Sequence, residues 1–151
     1  MRISALRAIV LLLAVGLAAC GSDNPVGPGG EANMSARIDG QAWSPSFATA
    51  TVPPTASGFA AVSGSDGTTT IAFAFPGATG TYEIGTSIGA NASLMIGSTA
   101  WVATTSLGSG TIVVTTLTSD RVAGTFQFNV TANGATPATR SVTNGQFDIE
   151  L

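Results

Sequence analysis

From Asn33 onward no stretch of this chain keeps a helical period. What recurs is a short run of alternating apolar and polar residues, closed by Gly, Asn, Asp or Ser. That rhythm gives each run one face for a core and turns the chain back early, which restricts the fold to antiparallel β structure. The runs are Ser35–Ile38, Gln41–Thr49, Gly58–Val62, Thr69–Phe75, Thr81–Ile84, Ser93–Ile96, Trp101–Thr105, Thr111–Leu117, Val122–Val130 and Arg140–Ile149. Their spacing predicts a single all-β domain over residues 34–151. Its architecture is an antiparallel β-sandwich or partly closed β-barrel of about ten short strands.

Three places set the register. Asp39-Gly40 has the composition of a two-residue type I′ turn, whose central residues both need positive φ. It pairs Ile38 with Gln41, Ala36 with Trp43 and Met34 with Pro45, and Pro45 makes the second strand an edge or a bulge. A turn centred between Ser119 and Asp120 puts Leu117 beside Val122 and Val113 beside Phe126, with Ile112 and Val114 facing the other way. Val122, Phe126, Phe128 and Val130 then share a core face, where Gly124 leaves room for a bulky neighbour. Inside the last run, the apolar phase slips by one between Val142 and Phe147. A bulge at Asn144-Gly145, with Gly145 at positive φ, accounts for that slip better than a hairpin followed by so short a strand.

The chain contains no histidine and no lysine, and its only cysteine is Cys20. Histidine-assisted serine or cysteine catalysis, serine–lysine dyads, Schiff-base lysines and histidine metal sites are therefore excluded together. No short segment offers several carboxylates at calcium-loop spacing. Gly64-Ser65-Asp66-Gly67 reads as a hairpin turn. Asp148 and Glu150 share a solvated strand face, and nothing in the sequence brings Glu83 to Asp148 as a glycosidase pair. No catalytic residue, metal ligand or cofactor is assigned. Beyond Cys20 the basic residues are Arg37, Arg121 and Arg140, too few to neutralise a phosphate backbone, so nucleic acid is not an expected partner. The aromatic residues, Trp43, Phe47, Phe59, Phe73, Phe75, Tyr82, Trp101, Phe126, Phe128 and Phe147, lie nearly all in alternating runs and read as core. Trp101, in a short glycine-flanked run, is the one placed either in the core or at a pocket mouth.

The N-terminal region carries a different message. Arg2 and Arg7 precede an apolar run from Ala8 to Leu17, and Leu17-Ala18-Ala19-Cys20 follows. This is the layout of a secretory signal, and the run is about half the roughly 20 apolar residues a spanning helix needs. The junction resembles the lipobox of bacterial lipoproteins, in which the thiol is diacylated and the chain is cut before it. The resemblance implies that residues 1–19 are a signal peptide, that Cys20 is the lipidation site, and that the membrane is a partner through it. Gly21, in place of an aspartate, favours the outer membrane. Residues 20–33 read as the lipidated cysteine and a flexible tether.

Three segments occur in a recognisable order behind that junction: Ile38-Asp39-Gly40-Gln41-Ala42-Trp43, Gly124-Thr125-Phe126-Gln127-Phe128 and Val142-Thr143-Asn144-Gly145-Gln146-Phe147-Asp148. Together they resemble a family of bacterial lipoproteins with a β-rich domain of unknown function. The resemblance implies fold and envelope location and brings no activity, ligand or site residue. The expected role is a non-enzymatic binding or structural module of the cell envelope. A lipocalin-like carrier of a small apolar ligand is the alternative, and an empty or a filled interior separates the two.

Overall fold

The computed structural model describes residues 32–55, 57–86 and 89–151. The expected signal peptide, the expected lipidation site Cys20 and the expected tether up to residue 31 lie outside the described residues. Eleven strands form: β1 (Ala32–Ile38), β2 (Gln41–Trp43), β3 (Phe47–Thr51), β4 (Phe59–Ser65), β5 (Thr69–Pro76), β6 (Gly80–Ile84), β7 (Asn91–Ile96), β8 (Thr99–Ala103), β9 (Ser109–Leu117), β10 (Arg121–Thr131) and β11 (Thr139–Glu150). The eleventh arises because the run Gln41–Thr49 divides at Ser44-Pro45-Ser46. Proline has no N–H for the ladder, so β2 ends at Trp43 and the Met34–Pro45 pair does not form. The first strand opens at Ala32, slightly before the expected boundary at residue 34.

All the strands belong to one antiparallel sheet, curled into a half-barrel. Its order is β2-β1-β11-β10-β8-β7-β5-β4-β3, with β9 beside most of β10 and β6 beside β9. The two ends of that order, β2 and β3, are consecutive in the chain and joined by Ser44–Ser46 alone. So short a link obliges the sheet to curl.

The concave side is filled by aromatic rings. The Phe73 ring lies 4.7 Å from Phe126 and 5.3 Å from Phe147, while Phe126 stacks on Phe128 at 5.7 Å and Phe75 on Tyr82 at 5.9 Å. Ile71, Leu94, Ile112, Val122, Val130, Val142 and Ile149 complete the core and are fully buried. Trp101 is buried here too, which resolves its placement in favour of the core. Phe47 and Phe59 depart from the expectation: they are 66% and 56% exposed. Both occupy the outward phase of their strands, so alternation alone sets them against solvent.

The Asp39-Gly40 turn has φ values of 49° and 83° and pairs Ile38 with Gln41 and Ala36 with Trp43. At the second turn Leu117 does pair with Val122, but one further residue on β9 shifts the ladder between Ala123 and Gly124. Ile112 therefore faces Phe126, and Val113 faces Thr125. This corrects the expected register: Ile112 and Val114 point into the core, and Val113 is the outward residue. Gly124 makes the room assigned to it, since a Cβ there would come within 2.8 Å of Phe147 Cζ.

The last strand is continuous, with Asn144-Gly145 as a bulge against both neighbours. Val142 and Phe147 consequently both point into the core. The positive φ falls on Asn144, at 51°, rather than on Gly145. Asparagine tolerates that region, while Gly145 is needed for space: a Cβ would sit 2.5 Å from the Phe126 ring.

Candidate recognition groove on the outer sheet face

Most of the charged groups are committed to holding the fold. The Asp39 carboxylate accepts from Arg140 Nη1 at 2.6 Å and from the Ser141 N–H at 2.8 Å, and the Asp39 N–H donates back to the Ser141 carbonyl. This pins the β1–β2 hairpin onto β11. Burial alone would raise the Asp39 pKa, but the hydrogen bonds from Ser141 and Arg140, with the Arg140 charge, hold it below the ordinary range. The Arg140 guanidinium also lies 4.7 Å from the centre of the Trp101 ring, and the Trp101 indole N–H donates to the Pro137 carbonyl at 2.9 Å.

A second clasp joins β2 to the β4–β5 hairpin. The Trp43 indole N–H donates to Asp66 Oδ2 at 2.8 Å, while Oδ1 accepts the N–H groups of Thr69 and Thr68. Those two backbone bonds, assisted by the indole, lower the Asp66 pKa. Gly64-Ser65-Asp66-Gly67 is thus the hairpin turn expected. Its aspartate serves as a staple between distant parts of the sheet.

The remaining acidic residues do not converge on a catalytic pair. Asp148 is held by Arg121 in a two-pronged ion pair, whose hydrogen bond is the main reason its pKa is lowered. Glu83 accepts from the Thr111 hydroxyl on β9. Three strand spacings separate Glu83 from Asp148, roughly 14 Å across the sheet. Among the described residues no group of three or more acidic, cysteine or histidine side chains is placed to hold a metal ion.

Two shallow grooves lie on the convex face. The larger, about 460 Å³, runs over β1, β11, β10 and the end of β9 and is bordered by Asn33, Ser35, Ser44, Thr125, Gln146 and Asp148. The ladders place Ser35, Gln146 and Thr125 side by side on three adjacent strands, with Asn33, Asp148 and Ala123 in the next row. The floor dips there because Ala123, on the outward phase of β10, offers only a methyl group. The side chains of Asn33, Ser35, Ser44, Thr125 and Gln146 make no hydrogen bond to another described residue. The one charged residue on the rim among the described residues, Asp148, is paired with Arg121. The smaller groove, about 370 Å³, continues on the same face between Glu83, Thr111, Gln127, Asn129 and Thr143.

Sequence reasoning assigned no ligand-binding residue, and these side chains show why. Apart from Ser44, which lies in the β2–β3 link, each is the polar alternate of an apolar strand, indistinguishable singly from a solvated position. Only the register across β1, β11 and β10 brings them together. The signal that existed was Ala123, a minimal side chain on the outward phase of a strand that otherwise carries larger ones there.

Residues 30–148 match the profile of a family described as a domain of unknown function (DUF6252). The chain belongs to that family. The match covers nearly all of the described sheet and includes the Ile38–Trp43, Gly124–Phe128 and Val142–Asp148 segments. Comparison with curated proteins and with solved structures finds no match.

Proposed function

We propose that this protein is a non-enzymatic recognition module of the bacterial cell envelope, anchored through lipid at Cys20 and binding a neutral, hydroxyl-bearing ligand in the groove around Thr125 and Gln146. The observation that carries this reading is the opposite use of the two sheet faces. The concave face is packed with rings, while in the convex groove the side chains of Asn33, Ser35, Ser44, Thr125 and Gln146 have no hydrogen-bond partner among the described residues. An amide offers two donors and an acceptor, which suits adjacent hydroxyls of a glycan and gives no preference for charge. A site of this kind, lacking an exposed ring to stack on a sugar, binds weakly and selects by hydrogen-bond pattern. The sequence before the domain supports the anchor: a short apolar run, small residues and the chain's single thiol.

Two measurements test the reading. In cells, the full chain is expected in the membrane fraction with an acylated Cys20, and Cys20→Ser in the soluble fraction; an unmodified Cys20 in the envelope contradicts the anchor. For the groove, amide shifts on titration with neutral oligosaccharides such as maltohexaose and chitohexaose should cluster at Ser35, Thr125 and Gln146. Shifts confined to residues of the concave face, or no shift with any neutral glycan at millimolar concentration, would contradict it.

A further inference from the structure

The two grooves of the convex face meet at one irregularity of the sheet. On β10 the outward positions Thr125 and Gln127 are consecutive, the first bordering the larger groove and the second the smaller. Beside them β11 carries its bulge, and Thr143 and Asn144 are both exposed where strict alternation would expose one. Bulges re-aim side chains and are frequent next to functional sites. Here the additional exposed residue is an amide, at the junction of the grooves. From Ala123 to Asn129 the joined floor runs about 20 Å at the rise of a strand. The side chains of Gln127, Asn129, Thr143 and Asn144 make no hydrogen bond to another described residue. The far wall differs. Glu83, on β6, lines the smaller groove; its carboxylate accepts only the Thr111 hydroxyl and has no cation partner among the described residues.

We propose that the ligand is an extended neutral glycan chain lying along β10, with its further units in the smaller groove against Gln127, Asn129 and Thr143. This rests on the reading of the larger groove as a site for a neutral, hydroxyl-bearing ligand. A single sugar would occupy one groove and leave the polar groups of the other to water. A chain crosses the junction and meets amides and hydroxyls on both sides of it. The Glu83 carboxylate selects the charge of that chain. It accepts a hydrogen bond from a sugar hydroxyl, and it repels the carboxylate, sulfate or phosphate of an anionic polymer. Units bound in series add contacts while the entropy of association is lost once, so affinity rises with chain length.

The test follows amide shifts of the purified full chain carrying Cys20→Ser during titration with maltose, maltohexaose, chitobiose, chitohexaose and hexagalacturonate. A neutral hexasaccharide is expected to shift Gln127, Asn129 and Thr143 in addition to Thr125 and Gln146, and to bind about tenfold more tightly than the disaccharide of its series. In the Gln127→Ala/Asn129→Ala chain the hexasaccharide should bind no more tightly than the disaccharide. Hexagalacturonate should leave Gln127 and Asn129 unshifted, and should shift them once Glu83→Gln removes the charge. Hexasaccharide shifts confined to Thr125 and Gln146, with no gain over the disaccharide, overturn the extended track and leave the reading of the larger groove standing. Equal binding of the neutral and anionic hexamers overturns the selection by Glu83. No shift with any neutral glycan overturns the track together with the reading on which it rests.

Discussion

The two halves of this sheet are built alike inside and unlike outside. On their concave sides both present rings and branched aliphatics to one core: Phe73, Phe75 and Leu94 from β5 and β7, and Phe126, Phe147 and Ile149 from β10 and β11. On the convex side, β4, β5 and β7 show Ala61, Ser63, Ala72, Ala74 and Ser93, with no charged residue in any of the three strands. The convex side of β10 and β11 shows Arg121, Thr125, Gln127, Gln146, Asp148 and Glu150. Folding requires only the inner pattern. The unequal outer faces are therefore not a requirement of the fold, and the polar one is where the proposed recognition groove lies.

The comparison breaks most readily at the shared core. Phe126→Ala removes a ring that touches Phe73 and Phe128, and should cost about 3–5 kcal/mol in denaturant titration. Gly145→Ala should follow at about 1–3 kcal/mol, because the new methyl meets that same ring. An equal, negligible loss for both would mean the bulge register is wrong.

Next come the clasps that tie the halves together. Asp66→Ala removes the acceptor of the Trp43 indole and of two backbone N–H groups, for an expected loss of about 1.5–3 kcal/mol. Acid should imitate it. Asp39, Asp66 and Asp148 are all held below the ordinary aspartate range in the folded chain, so each contributes stability above that range and loses it as pH falls through its folded value. The melting temperature should therefore drop on acidification below about pH 4, and Asp66→Asn should flatten the drop. A profile that is unchanged by Asp66→Asn would show that the clasp contributes nothing through ionisation.

The smallest effects belong to the outer faces. Gln127→Ala on β10 and Ser63→Ala on β4 should each stay within about 0.5 kcal/mol. A large loss at Gln127 with none at Ser63 would make the polar half structural rather than a recognition surface.

Much of this fold was legible in the sequence because period two is enforced residue by residue. Val122, Phe126, Phe128 and Val130 could face only one way, and Asp39-Gly40 could turn in only one manner. What was not legible depends on single insertions in a ladder. The extra residue of β9 near Thr115 reversed the facing of Ile112 and Val113, and neither composition nor period marks where such a bulge falls. The exchange of roles at Asn144 and Gly145 has the same origin: both residues suit positive φ, and only the nearness of the Phe126 ring decides which must be glycine. The groove was invisible for a further reason. Ser35, Thr125 and Gln146 are distant in sequence and become one row only when β1, β11 and β10 are in register. The two clasps, Trp43 to Asp66 and Arg140 to Asp39, likewise join residues that no local pattern links.

The central claim is that the concave side is filled by this chain's own side chains and that recognition belongs to the convex face. Titration of the native protein with N-phenylnaphthylamine, read by energy transfer from Trp43 and Trp101, tests it directly. The account predicts no saturable binding to the native chain, whose concave side is occupied by its own rings. Saturable one-to-one binding to the unaltered chain, competed by a fatty acid, would contradict it and make the protein a carrier.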